Sequence, residues 1–232
     1  MRTFPLMIFS AGFGTRMGAL TADSPKPLIE VAGQPLIDRA LALAESRADP
    51  VVVNLHYLGA QIERHLAGRD IRLSWERDEI LDTGGGLKAA LPLLGPGPVM
   101  TLNPDVVWAG PNPLDTLASS WRDGMAALLL VAPPHQLHGR ASARADFNMA
   151  PGGRLTRARA GDDGVVYLGA QILWPEPVAA WPGHVFSLNR IWDELIAERR
   201  LFGVAHPGGW CDVGTPEGLV AATALLAEAH HG

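Results

Sequence analysis

Pro5-Leu6-Met7-Ile8-Phe9-Ser10-Ala11-Gly12-Phe13-Gly14-Thr15-Arg16-Met17 is the stretch on which the fold turns. Its first half is a short apolar run, and Met7–Ser10 reads as the end of a buried first strand. Its second half is a glycine loop. A strand that runs into such a loop brings backbone N–H groups against phosphates, because small residues let the chain turn tightly and approach closely. The same run, with Arg2 in front and Ser10-Ala11-Gly12 behind, faintly has the order of a signal peptide. Its apolar core of about six residues falls short of the usual ~7–15, so the strand reading is preferred. Just downstream lies a proline-flanked lysine, Ser24-Pro25-Lys26-Pro27.

Outward from the loop, the pattern alternates. Pro35 opens a helix with Leu36, Ile37, Ala40, Leu41 and Leu43 mostly on one face. Val51–Leu55 is a buried strand, Leu58–Leu66 a helix, and Ile71–Trp75 a strand. After Gly84-Gly85-Gly86 comes a helix over Leu87–Leu94, then a strand over Val99–Leu102 that ends at Asn103-Pro104-Asp105. Leu114–Trp121 is helical and Ala126–Ala132 a buried strand. Continuous apolar strands alternating with amphipathic helices imply an α/β fold with a mostly parallel central sheet covered on both faces. From about Ala143 the texture changes. Asp146–Met149, Leu155–Arg159 and Val165–Trp174 follow one another as strands, predicting a small antiparallel β section. A helix over Leu188–Arg199, a strand over Leu201–Ala205 and a closing helix over Pro216–Ala229 complete the chain. One domain is expected over residues 1–232, with a nucleotide-binding part over 1–140, a second part over 141–232, and the weak boundary at Ala141–Ala145.

Composition narrows the function. The 232 residues are 47% hydrophobic and 19% charged, enough to bury one sizeable core. A net charge of −5 argues against a nucleic-acid or anionic-membrane partner. The single cysteine, Cys211, rules out an internal disulfide and a cysteine-based zinc site, and suits a reducing, cytoplasmic location. No apolar run nears the ~20 residues of a membrane span. Of the 19 basic residues only Lys26 and Lys88 are lysines. Lysine carries a compact point charge where arginine presents a planar fork, which draws attention to both positions.

Three readings of the loop compete. A Walker loop requires G-x-x-x-x-G-K-[ST], and the Lys-Ser/Thr pair is missing. A dinucleotide fingerprint requires G-x-G-x-x-G running into a helix. Gly12 and Gly14 fit, but Met17 holds the third position and Pro25 and Pro27 fall where the helix should run. A tight turn alone explains the glycines but not Arg16 and Lys26 so close behind.

The segment Ser10–Met17, followed by Leu20-Thr21 and Ser24-Pro25-Lys26-Pro27-Leu28, resembles the signature of the sugar-1-phosphate nucleotidyltransferases. The resemblance continues in order through Gly33-Gln34-Pro35-Leu36-Ile37, Asp82–Gly86, Asn103-Pro104-Asp105 and Trp210-Cys211-Asp212-Val213-Gly214-Thr215. Leu81–Gly95 and Ala145-Asp146-Phe147 are most similar to the N-acetylmuramate-1-phosphate uridylyltransferase subgroup of cell-wall recycling. The resemblance implies a Rossmann-like three-layer fold and a Mg²⁺-dependent reaction of a sugar 1-phosphate with a nucleoside triphosphate, UTP above all. Ala11, Gly12, Phe13, Gly14 and Thr15 would hold the triphosphate, with Arg16 and Lys26 catalytic. Asp82, Thr83, Gly84 and Gly85 would face the base. Asp105 and Asp212 would ligate the metal, and Asn103, Asp146, Gly169 and Asn189 would meet the sugar. Lys88 receives no site role.

The attacking group in such a reaction is a phosphate oxygen already ionised at neutral pH. No general base is needed, in keeping with the lack of an obvious Ser/His/Asp constellation. Positioning and cations carry the catalysis. Two departures stand out: Ser10 for the usual Ala, and Pro104 for the usual Gly. The second admits another class of function, a nucleotide-sugar-binding module without turnover. Within the enzyme class, guanylyl transfer to mannose 1-phosphate is the alternative.

Overall fold

The computed structural model describes residues 3–138 and 144–229. Arg2, most of the expected boundary at 141–145, and His230-His231 lie outside the described residues. The strands are β1 (Phe4–Ile8), β2 (Glu30–Val31), β3 (Gln34–Pro35), β4 (Ala48–Leu55), β5 (Arg72–Trp75), β6 (Val99–Leu102), β7 (Val106–Ala109), β8 (Ala127–Ala132), β9 (Phe147–Met149), β10 (Leu155–Arg157), β11 (Val166–Leu173), β12 (Leu201–Ala205) and β13 (Gly209–Asp212). The α-helices are α1 (Leu36–Ala44), α2 (Gly59–His65), α3 (Asp82–Leu94), α4 (Pro113–Ser120), α5 (Glu176–Ala180), α6 (Leu188–Ala197) and α7 (Pro216–Ala229).

Seven strands form the central sheet in the order β12-β8-β11-β6-β1-β4-β5. All neighbours run parallel except β11, which is antiparallel to both β6 and β8. The strands carry apolar side chains on both faces because both are covered. Leu6, Ile8, Val53, Leu128 and Leu130 pack beneath α1, α2 and α4. Met7, Val52, Leu129 and Val131 pack beneath α3, α5 and α6.

Two expectations change. Val166–Leu173 does not belong to a separate antiparallel section; it is an antiparallel strand inside the central sheet. The separate antiparallel pieces are the pairs β9–β10, β7–β13 and β2–β3. Gly84–Gly86 do not precede a helix but lie within α3. Their helical conformation comes from tertiary contacts, since glycine is a poor helix former.

Topology places the site. The chain passes from β1 to β4 and β5 on one side, then to β6 on the other side of β1. Loops leaving β1 and β6 therefore diverge at the carboxyl edge and open a crevice, the usual ligand position in open α/β sheets.

Candidate active site

The crevice holds a cavity of about 340 Å³ whose wall includes Ala11, Gly12, Gly14, Thr15, Arg16 and Lys26 from the loop after β1. Asn54 from β4, Glu76 after β5, and Asn103–Asp105 after β6 also line it. A second cavity of about 330 Å³ adjoins, lined by Asp146, Arg157, Gly169, Ser187, Asn189 and Asp212 among others. Arg16, Asp82, Thr83, Asn103 and Asp105 belong to both walls, so the cavities meet there. Residues that line only the first cavity precede Asp105, except Gly214.

The glycine loop is shaped around Lys26. Gly14 has φ +65°, and a side chain there would meet the Lys26 Cβ at 2.9 Å. Glycine is required both for the left-handed backbone and for this contact. A Cβ on Gly12 meets nothing within 4 Å, which leaves an open cradle beside the loop backbone. Pro25 and Pro27 flank the lysine where it enters a single 3₁₀ turn over Lys26–Leu28, and they fix its backbone. Its ammonium reaches Asp105 Oδ2 at 2.5 Å, and the Lys26 side chain is only 11% exposed.

The blocks far apart in sequence close on this pair. The Val213 N–H donates to the Asp105 carbonyl at 2.8 Å, and Asp212 pairs with Val106 in the β7–β13 ladder. Asp105 and Asp212 therefore stand at neighbouring backbone positions on the wall of the second cavity. The Arg16 guanidinium lies over Gly214, where a Cβ would meet Nη1 at 2.9 Å. The Thr215 hydroxyl accepts from the Gly218 N–H at 3.3 Å and caps the start of α7. On the other side, the Asn103 N–H donates to the Gly169 carbonyl at 2.8 Å, and Gly169 has φ +85° at an irregularity in β11.

Three residues expected at the nucleotide are turned to other neighbours. The Phe13 ring packs against His56 and Tyr57, is half-exposed and does not line the cavity. Gly84 and Gly85 face the 184–186 segment. Their N–H groups both donate to the Phe186 carbonyl, at 2.8 and 3.0 Å. A Cβ would strike the Phe186 ring at 2.4 Å from Gly84 and the His184 carbonyl at 2.2 Å from Gly85. The Phe186 carbonyl satisfies two of the orphan donors at the start of α3. Asp82 and Thr83 do stand on both walls, but Thr83 also accepts the Leu188 N–H at 3.0 Å at the start of α6.

Other site residues were not expected. Glu76 is buried on the first wall; Oε1 accepts from Asn54 Nδ2 at 2.6 Å and Oε2 from the Leu81 N–H at 2.8 Å. The Asn54 Oδ1 accepts the Ser10 N–H at 2.6 Å, so one buried chain of hydrogen bonds ties β1, β4, β5 and α3 together. Glu76 follows β5 as Asp105 follows β6, and the carboxyl-edge argument applied to Asp105 would have found it. Asn54 is the polar interruption in the apolar run Val51–Leu55. Arg157 on β10 also went unassigned.

Among the described residues no group of three or more His, Cys, Asp or Glu is placed to hold a metal ion. Two carboxylates at the edge of an anion-sized cleft suit a cation that completes its shell with substrate oxygens. No helix of the described residues is long and apolar enough to cross a membrane.

Comparison with known proteins agrees with this geometry. Residues 6–204 match the family model described as a MobA-like NTP transferase domain. The chain is 41% identical to the N-acetylmuramate alpha-1-phosphate uridylyltransferase of Caulobacter vibrioides, over 96% of this chain and 97% of that protein. It is 35% identical to the enzyme of the same name from Neisseria meningitidis serogroup B, over 94% and 96%. A UDP-glucose pyrophosphorylase solved with UDP-glucose superimposes with a TM-score of 0.78 at 16% identity, covering 98% of this chain and 99% of that one. With the family model spanning most of the sequence and two relatives aligned almost end to end, the chain belongs to the sugar-1-phosphate nucleotidyltransferases and carries a MobA-like NTP transferase domain.

Proposed function

We propose that the chain transfers uridylyl from UTP to N-acetylmuramate 1-phosphate and releases pyrophosphate, as a cytoplasmic step of cell-wall recycling. The observation that carries the reading is the junction of two cavities at Arg16, Asn103 and Asp105, with Lys26 beside them. Glu76 sets the direction of the triphosphate. Its buried carboxylate disfavours phosphates at that end of the first cavity, so the base lies towards Glu76 and Asn54 and the phosphates towards Arg16 and Lys26. The sugar 1-phosphate occupies the second cavity, with its phosphate at the junction.

In this reading the loop N–H groups of 12–15 hold the triphosphate, and Arg16 lies on the leaving pyrophosphate. Lys26 exchanges its partner Asp105 for a phosphate oxygen and steadies the charge on the attacked phosphorus. The nucleophile is the sugar phosphate oxygen, so no residue need remove a proton. Asp105 and Asp212 fit Mg²⁺ as oxygen donors; when bound, the ion supplies charge neutralisation between the two polyanions. Asn103, Asp146, Gly169 and Asn189 form the sugar side, and the parts 1–140 and 141–232 divide the labour between nucleotide and sugar.

The test is pyrophosphate release from a panel of nucleoside triphosphates and sugar 1-phosphates with Mg²⁺. UTP with N-acetylmuramate 1-phosphate is expected to give the highest kcat/KM. Binding of a nucleotide-sugar without turnover of any pair would replace the enzyme reading with a binding module.

A further inference from the structure

We propose that Arg157 recognises a carboxylate on the sugar, so that the second cavity selects acidic sugar 1-phosphates over neutral ones. This rests on the reading of the reaction given above and names the feature of the sugar that is read. N-acetylmuramate differs from N-acetylglucosamine by a lactyl ether, which adds one carboxylate to an otherwise neutral ring.

Among the described residues, Arg16 and Arg157 are the cations that line the second cavity. Arg16 is held over Gly214 at the junction with the first cavity, where the phosphates meet. Arg157 lines the second cavity and not the first, so it stands away from the junction. An acidic substituent carried away from the phosphate therefore finds its cation there.

The guanidinium is built into place. It lies 4.8 Å from the Phe147 ring centroid and 5.8 Å from that of Trp192, over two aromatic side chains that are themselves buried. Its Nε donates to Asp193 Oδ1 at 2.7 Å and its Nη2 to the Asn189 carbonyl at 3.1 Å. These contacts use two of the five donors and fix the plane of the fork, which leaves Nη1 to meet a ligand. Asp193 is 55% exposed, and water screens its hold on the charge. Asp146, a carboxylate on the same cavity wall, accepts the Tyr167 N–H at 2.9 Å. A neutral sugar needs only hydroxyl and amide partners, which Asp146 and Asn189 supply. An oriented guanidinium adds a charge-assisted contact that only an acidic sugar can use.

The experiment compares substrates that differ only at this group. For the unaltered protein, KM is measured for N-acetylmuramate 1-phosphate and for its carboxamide, in which the lactyl acid is uncharged. The carboxamide is expected to have a KM about 10- to 100-fold higher with kcat little changed, the range of one charged hydrogen bond. Equal KM values overturn the proposal, and this comparison requires no folded variant. Arg157→Met keeps the stem that covers Phe147 and removes the charge. It is expected to raise KM for N-acetylmuramate 1-phosphate by a similar factor, and by at least about tenfold more than any rise in KM for N-acetylglucosamine 1-phosphate, which shares only the loss of the Asn189 contact. Equal losses on both sugars assign Arg157 a structural role only and overturn the proposal. No turnover of N-acetylmuramate 1-phosphate by the unaltered protein is a different result, which removes the substrate reading itself.

Discussion

Replacing Gly85 by alanine separates two jobs for the triple glycine. If these residues admit a flat base to the backbone, the added methyl group weakens nucleotide binding. If they admit the 184–186 segment, it weakens the sugar side. The new Cβ would stand 2.2 Å from the His184 carbonyl oxygen and 3.0 Å from the Leu81 Cβ. Carbon and oxygen settle at about 3.3 Å, so the carbonyl must retreat by about 1 Å. Overpacking of this kind costs about 1–3 kcal/mol. The retreat also strains the Phe186 carbonyl, which accepts the N–H groups of Gly84 and Gly85. Losing one of those bonds costs about 1 kcal/mol, roughly offset by alanine's helix preference of about 1 kcal/mol. A net loss of about 1–3 kcal/mol lowers Tm by about 2–12 °C for a chain of this size. The segment leads directly into Ser187 and Asn189, so KM for the sugar 1-phosphate should rise more than KM for UTP. Thermal unfolding and steady-state kinetics on each substrate give the answer. An unchanged Tm with a raised KM for UTP alone would refute the docking argument and restore the base-facing role.

Lys26→Ala should lower kcat by about 10²–10³-fold, the usual scale for losing one fixed charge at a reacting centre. Circular dichroism should be unchanged; an unaltered kcat returns Lys26 to a structural role beneath Gly14. Asp105→Asn and Asp212→Asn should each abolish Mg²⁺-dependent turnover, and a normal rate in either would remove that residue from the metal site. His206 packs edge-on against Trp108, and burial pushes its imidazole down to about 4. The unfolded chain therefore takes up a proton below about pH 6.5 while the folded chain resists it. The stability held by neutral His206 is complete above that pH and is lost as pH falls towards 4. His206→Phe should flatten this part of the Tm–pH curve, and an identical acid slope would exclude the histidine as its source.

Much of this architecture was legible because it depends on local pattern. The run Met7–Ser10 followed by Gly12 and Gly14 marks a strand meeting a phosphate-sized turn, and Val99–Leu102 followed by Asp105 marks a carboxylate on the same sheet edge. What escaped depends on contacts between distant segments. Gly84 and Gly85 look like helix entry or a base shelf until Phe186, far downstream, is known to lie against them. The pairing of Val106–Ala109 with Gly209–Asp212 is equally remote, although it is what brings Asp212 beside Asp105. Val166–Leu173 has the composition of a central strand, and only topology decides that it runs antiparallel between β6 and β8. Phe13 sits inside the most telling motif yet turns its ring to His56 and Tyr57. A motif gives the path of the backbone more securely than the direction of each side chain along it.

The two lysines use the same chemistry at two different places, one on the cleft wall and one away from it. Lys26 reaches a single carboxylate oxygen on Asp105, and Lys88 reaches a single carbonyl oxygen on Trp181, each at 2.5 Å. In both cases a compact ammonium on a long stem meets one acceptor, where a planar fork would need two. Lys88 thereby ties α3 to the start of the segment whose Phe186 carbonyl caps that helix. Trp181 stacks on Phe186 with ring centroids 5.6 Å apart, so the lysine, the stacked rings and the glycines fasten one strap. Lys26 is fastened differently: its partner Asp105 is a cavity residue, the one it would exchange for phosphate in the proposed reaction. A net charge of −5 leaves the protein no general attraction for polyanions. If local cations do that work, as proposed above, Lys26 is placed for it: the missing side chain of Gly14 leaves room for its stem, and its ammonium reaches Asp105 on the wall shared by the two cavities.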